Sequence, residues 1–168
     1  MPMVRKFYVN VTKHHDYRVF VKEKQIPFDM TIINQYFGVS NINNDEYLIA
    51  IDDYDFDWNK VMRHLCPRGT QWKRNHEGWV KGFPHRQLHK DSKIWHHFIV
   101  ACLKPTIHLS DVSKDQVGLM WTIMIGKSID IRLVIKHSIE NGIRTYVPLM
   151  PHPILITMLC KNAVWFEL

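Results

Sequence analysis

"WHHFIVACLKPTIHLSDVSKDQVGLMWTIMIGKSIDI", residues 95–131, decides the fold class of this chain. Two helical patterns stand on either side of a break. Ile94, Trp95, Phe98, Ala101 and Cys102 recur at helical spacing, which predicts an amphipathic helix over residues 93–103. Pro105 disfavours α geometry at Lys104 and ends it. "SKDQ", residues 113–116, has the form of a capping box, in which Ser113 caps the backbone and Gln116 reaches back. Asp115 then sits in the positive first turn. Val117, Leu119, Met120, Trp121, Ile123, Met124 and Ile125 are apolar almost all round, so this helix belongs in the core. Trp121, Met124, Phe98 and Cys102 are expected to be buried together. Gly126 ends or kinks the helix. The hydroxyls and acids of the stretch thus read mainly as helix caps.

The same reading extends outward. Residues 4–11 suit a helix or a strand. "YRVFVKEKQIPF" alternates at Val19 and Val21, turns at "KEK" and resumes at Ile26 and Phe28, which predicts a small β-hairpin. "DMTIINQYFG" is a short helix with Asp29 as its N-cap and Gly38 as its stop. Residues 39–57 read as a polar, acidic exposed loop, followed by a helix ended by Pro67. A Gly- and Pro-punctuated connection runs to about Leu88. Further helices are expected over 129–140, ended by "NG", and over 154–161. The expectation is a mainly α fold, a compact helical domain with a small β-hairpin near the N-terminus.

The 168 residues fit one domain, expected to span residues 1–168. The composition is 46% hydrophobic and 23% charged, as in ordinary globular chains. About two thirds of the unfolded surface can be buried at this length, so neither disulfide nor metal is required for a core. Three cysteines, far apart, do not form a secreted disulfide framework. The first residues hold no signal-peptide core, and the longest apolar run is about half a membrane span. These features predict an intracellular protein, nuclear or cytoplasmic, with no membrane partner.

The net charge is +6 and the pI about 9.3, a balance that favours polyanions. The densest groups are "RVFVKEK", residues 18–24, and "RGTQWKRNHEGWVKGFPHRQLHKDSK", residues 68–93, and the second is the better patch. Trp72, Trp79 and Phe83 interleave there with Arg68, Lys73, Arg74, Lys81, Arg86 and Lys90. Cations between aromatics can hold phosphate while rings stack bases. The competing reading is a solvated loop with two tryptophans turned into the core. The candidate nucleic-acid contacts are Arg68, Trp72, Lys73, Arg74, Lys81, Arg86 and Lys90.

Other chemistry is less well supported. His64, Cys66, His76, His85 and His89 offer zinc-ligand types, and His85 and His89 are spaced for one helical face. No C-x-x-C pair accompanies them, so no metal and no cofactor are expected. His96 and His97, adjacent on a helix, point about 100° apart. Cys102 with His108 would need the fold to unite them, and Cys102 reads as buried. "YLIAIDDYDFD" permits an apolar strand ending in Asp52, with Asp55 or Asp57 beside it to hold magnesium, as in a metal-dependent nuclease or integrase. No second apolar strand ends in an acid, and there is neither a Gly-rich phosphate loop nor a G-x-S-x-G elbow.

"VRKFYVNV", "VFVKEKQIPFDMTIINQYFGV", the opening stretch and the tail "PILITMLCKNAVW" carry a family likeness. The chain resembles the plant transposon protein domain of retrotransposon-derived reading frames. The likeness runs from Val4 through most of the chain and is loosest over residues 41–91, where Trp58 and Trp72 carry it. Members usually have sequence upstream, so an isolated or truncated domain is expected. The resemblance implies transposon origin, not transposase activity, and brings no catalytic residues. Trp95, Phe98, Pro105, Ser113, Trp121 and Gly126 read as structural. The expected function is a non-catalytic module that contacts DNA or RNA, other element proteins or itself. The alternatives are the Asp52, Asp55 and Asp57 enzyme and a decayed or host-reused protein-interaction domain.

Overall fold

Ser113 opens its helix with both halves of the expected box. The Gln116 amide donates to Ser113 Oγ at 3.3 Å, and the Ser113 amide donates to Gln116 Oε1 at 2.9 Å. At the far end Gly126 takes φ +69°, where the Lys127 amide reaches the Thr122 carbonyl and the Gly126 amide reaches that of Ile123. This is a Schellman stop, which a left-handed residue makes available. In the computed structural model every residue is described except Met1, Asn41, Asn43, Asn44, Tyr54, Ile107, 145–149 and 166–168.

The elements run α1 (Pro2–Val11), β1 (Arg18–Val21), β2 (Lys24–Pro27), α2 (Met30–Phe37), α3 (Glu46–Asp52), α4 (Trp58–Leu65), β3 (Lys73–Arg74), β4 (Val80–Pro84), α5 (Lys90–Phe98), β5 (Asp111–Ser113), α6 (Lys114–Met124), α7 (Ile131–Arg144) and α8 (Pro153–Trp165). A 3-10 turn (His85–Gln87) precedes α5, and a π-helical segment (Ile99–Leu103) follows it. The protein is mainly α. Its contacts divide it into two compact units, Met1–Asn41 with Ile131–Leu168, and Ile42–Asp130.

The first unit is built on the hairpin. β1 and β2 pair antiparallel with Val19 opposite Ile26 and Val21 opposite Lys24. Their inward residues join Phe7, Val11, Phe28, Ile33, Ile135, Ile139, Leu155, Ile156 and Cys160 in one apolar core. Phe7 meets Phe28 edge to face at 5.6 Å between ring centres, an arrangement the ring quadrupoles favour. Asp29 caps α2 by accepting the Thr31 and Ile32 amides, and Gly38 stops it at φ +63°. Tyr8 donates its hydroxyl to the Pro151 carbonyl, and burial raises its pKa.

The second unit packs α3, α4, α5, β4 and β5 around α6. The strand order is β3-β4-β5, all antiparallel, with Phe83 opposite Val112. Gly82 is required there. A Cβ at this position would lie 1.9 Å from the Val112 carbonyl oxygen. Lys127, with the Ser128 amide, grips Glu46 and holds its carboxyl below the usual range.

Several expectations are corrected. Residues 46–52 form a helix capped by Asp45, whose carboxylate accepts the Leu48 amide, so they are neither an exposed loop nor a strand ending in Asp52. The α5 face buried against the core is Ser92, His96, Ile99, Val100 and Leu103. Ile94, Trp95, Phe98 and Cys102 lie outside, although theirs is the more apolar stripe. Trp121 and Met124 are half-buried, and the core side of α6 is Val117, Leu119, Met120 and Thr122. α7 runs through Asn141 and Gly142 rather than ending there, because αR geometry is open to glycine and asparagine as well. The connection over 145–149 lies outside the described residues.

Candidate nucleic-acid interface

The β3–β4 hairpin is braced by one asparagine. The Asn75 amide donates to the Trp79 carbonyl at 3.0 Å, and the Gly78 amide donates to the Asn75 carbonyl at 3.0 Å. Asn75 Oδ1 also accepts the amides of Glu77, at 3.1 Å, and Trp79, at 2.8 Å. Gly78 supplies the positive φ, +86°, that closes the loop. Arg74 adds a clasp by donating to the Gly78 carbonyl at 2.8 Å. The backbone of Trp79 is therefore fixed while its side chain stands 63% exposed.

Trp72 is placed differently. It is half-buried, with its ring 5.3 Å from Phe83 and 6.4 Å from Trp58, and its Nε1 donates to Asn59 Oδ1. Much of its surface is thus engaged inside the unit, and Phe83 is fully buried. Among the cations, Lys73 pairs with Asp111 at 2.7 Å. Arg68 is exposed on the turn after α4, Lys81 on β4, Arg86 in the 3-10 turn and Lys90 at the start of α5. Among the described residues these four make no ion pair.

A cavity of about 460 Å³ opens beside the hairpin, lined by Asp52, Asp53, Trp58, Arg74, Gly78, Trp79, Val80 and Lys114. Lys114 lies over the Trp58 ring at 4.6 Å, a cation–π contact. Lys114 and Asp53 were not expected in a site. Nothing local marks them, because Lys114 comes beside the hairpin only when β5 pairs with β4, about thirty residues earlier in the chain.

The other candidate groups do not converge. Asp57 caps α4 by accepting the Lys60 amide and pairs with Arg63 at 3.4 Å. The Asp55 amide donates to Asp53 Oδ1. Among the described residues no group of three or more His, Cys, Asp or Glu is arranged to hold a metal ion. Cys102 is exposed, against expectation, whereas Cys66 and Cys160 are buried and burial pushes the Cys66 thiol up to about 12. His85, His96 and His97 cluster, with His85 4.9 Å and 5.1 Å from the other two ring centres. His96 is 1% exposed. Burial pushes its pKa down to about 4, His85 and His97 adding to the effect and Gln116 opposing it.

No helix among the described residues is long and apolar enough to cross a membrane. No curated protein and no solved structure matches the chain. The family model described as "Putative plant retrotransposon-related domain" matches residues 1–164, nearly the whole sequence, and the chain belongs to that family.

Proposed function

We propose that this retrotransposon-related chain is a non-catalytic module that binds single-stranded nucleic acid through the β3–β4 hairpin and its flanks. The observation that carries this reading is Trp79, a residue 63% exposed on a braced loop between Arg74 and Lys81. An exposed indole on a fixed backbone, beside cations, offers what base stacking with phosphate contact requires. The contact set is Arg68, Arg74, Lys81, Arg86 and Lys90, with Lys73 shared with Asp111. Trp79 is the better platform than Trp72, whose ring already packs on Trp58 and Phe83. Residues 68–93 carry seven Lys and Arg against two acids, which supports contact with a polyanion. The family match takes in both units, which supports treating the 168 residues as one module.

The test is titration of labelled single-stranded DNA and RNA at two salt concentrations. Affinity should fall steeply with salt. Replacing Arg74, Lys81 and Arg86 together by Gln should flatten the slope by about 0.7 for each phosphate that is no longer neutralised. Trp79→Ala should cost about 1–3 kcal/mol of single-strand binding and much less of duplex binding. Absence of binding at low salt would reject the reading.

One observation favours a second reading, assembly with other element proteins or with itself. Ile94, Trp95 and Phe98 expose 68%, 37% and 45% of their surface on one side of α5, an apolar patch of the kind that marks interaction surfaces. Sedimentation of the chain and of its Trp95→Ser, Phe98→Ser variant would show concentration-dependent association in the first and its loss in the second.

A further inference from the structure

The cavity beside Trp79 holds an unusual arrangement of charge. Asp52 and Asp53 enter it from the end of α3, Arg74 from β3 and Lys114 from the start of α6. Among the described residues, no ion pair joins either acid to either cation. Opposite charges that share a void without meeting are complementary to a ligand carrying both donors and an anion. The acids are also poorly placed for stability. Asp52 is the last residue of α3 and Asp53 its C-cap, where the negative end of the helix dipole disfavours a carboxylate. Breaches of a local rule of this kind concentrate at functional sites. Asp53 is oriented as well, since its Oδ1 accepts the Asp55 amide at 2.9 Å.

We propose that this cavity binds an unpaired guanine nucleotide, with Trp79 stacking the base, Asp52 and Asp53 accepting from its Watson–Crick edge, and Arg74 and Lys114 meeting its phosphate. This rests on the nucleic-acid reading above and names the base that reading leaves open. The size fits, since about 460 Å³ lies within the range of small-ligand clefts, roughly 300–1,000 Å³. The edge chemistry selects guanine. An ionised carboxylate only accepts hydrogen bonds, and guanine presents two neighbouring donors, N1–H and the exocyclic amine. Adenine and cytosine set one amine beside a ring nitrogen lone pair, which a carboxylate repels. Uracil and thymine set one imide N–H between two carbonyls. Trp58 does not serve as the stacking ring, because Lys114 already covers one of its faces and Phe56 meets it at 4.9 Å.

Three strands decide the matter: oligothymidylate, the same strand with one central deoxyguanosine, and the same strand with deoxyinosine in its place. Binding to each is measured by fluorescence anisotropy at one fixed low salt. The guanine strand should bind about tenfold more tightly than oligothymidylate, and the inosine strand, lacking the exocyclic amine, should fall between them. Asp52→Asn with Asp53→Asn should abolish the preference while oligothymidylate binding stays the same or tightens, since negative charge is removed. That variant should melt no lower than the parent, because both acids oppose the α3 dipole. Equal binding of all three strands would overturn the guanine site and leave the single-strand reading standing. Failure of every strand to bind would overturn both.

Discussion

The two units of this protein bury different things. In the unit formed by Met1–Asn41 and Ile131–Leu168, the interior is a continuous apolar cluster from Val4 through Phe7, Ile26 and Phe28 to Ile139 and Ile156. Among the described residues, Arg132 and Ser138 are the polar ones buried there, whereas in Ile42–Asp130 the interior admits Ser92, His96, Gln116, Thr122 and Asp130. Both units turn large apolar side chains outward, Phe20, Phe37 and Ile154 in the first and Trp79, Ile94, Trp95, Phe98 and Leu109 in the second, and the second also lines a cavity with both signs of charge. Buried polar groups stabilise little unless fully satisfied, and exposed aromatics contribute little burial. The difference is one of degree: the first unit is organised mainly by carbon packing, while the second sets more polar groups, His96 and Gln116 among them, inside its apolar core.

The largest effect expected from this contrast lies in the apolar cluster. Phe7 is fully buried and touches Tyr8 and Phe28. Phe7→Ala should cost about 3–5 kcal/mol, the range for truncating a core aromatic. Equilibrium denaturation measures it. A loss under about 1 kcal/mol would mean that the cluster is not the main support of its unit. In the second unit the corresponding weak point is backbone. Gly82→Ala places a methyl into the Val112 carbonyl, so β4 and β5 must separate. A loss of about 3 kcal/mol is expected, with oligonucleotide binding weakened because Lys114 follows β5 directly. Wild-type stability in this variant would contradict the close approach of the two strands.

The buried histidine separates the units by pH. His96 has its pKa lowered from 6.5 to about 4. The unfolded chain therefore takes up this proton more readily than the folded one. The stability concerned is fully present above pH 6.5 and is lost as pH falls toward about 4. The loss should be on the order of 2 kcal/mol. His85 shifts in the same direction through burial, with His97 and Lys93 adding to it. Urea denaturation at pH 7.5 and pH 4.5 should show this drop, and His96→Gln should reduce it. An unchanged drop in the variant would assign the acid sensitivity elsewhere.

The legible parts of the molecule were those fixed within a few residues. The Ser113–Gln116 box, the Asp29 cap and the Gly38 stop each depend on side chains at fixed short offsets, and each formed as the spacing required. The hairpin was legible for the same reason, since Val19, Val21 and Ile26 alternate across a two-residue turn. The three-stranded sheet was not. β3 has two residues and β5 three, and the pairing of Phe83 with Val112 crosses a helix and a π segment. The α5 face was misjudged because two stripes share its helical period. Composition favoured the apolar one, whereas packing against α6 selected Ser92, His96 and Ile99. Of the candidate site, the cationic segment was visible. The exposure of Trp79 over Trp72, and the arrival of Asp53 and Lys114, depended on tertiary pairing.

The smallest effect is in the hairpin turn, where the carbon-packed unit carries its own strain. Val21 pairs with Lys24, so Lys22 and Glu23 form a two-residue loop. Both take positive φ, +50° and +68°, the pattern of a type I′ turn, for which Asn-Gly is the favoured sequence. Side chains in the left-handed region cost about 1–2 kcal/mol each relative to residues suited to it. The alternating strands and the packing of Val19, Val21 and Ile26 hold the turn despite that cost. Lys22→Asn with Glu23→Gly should therefore raise stability by about 1 kcal/mol, part of the relief being offset by the greater freedom of glycine in the unfolded chain. Thermal melting should show a rise of a few degrees. Binding to oligonucleotides should not change, since neither Lys22 nor Glu23 belongs to the proposed contact set. A fall in melting temperature would show that Lys22 or Glu23 makes a contact worth more than the strain, and would remove the turn as a place where packing overrides local preference.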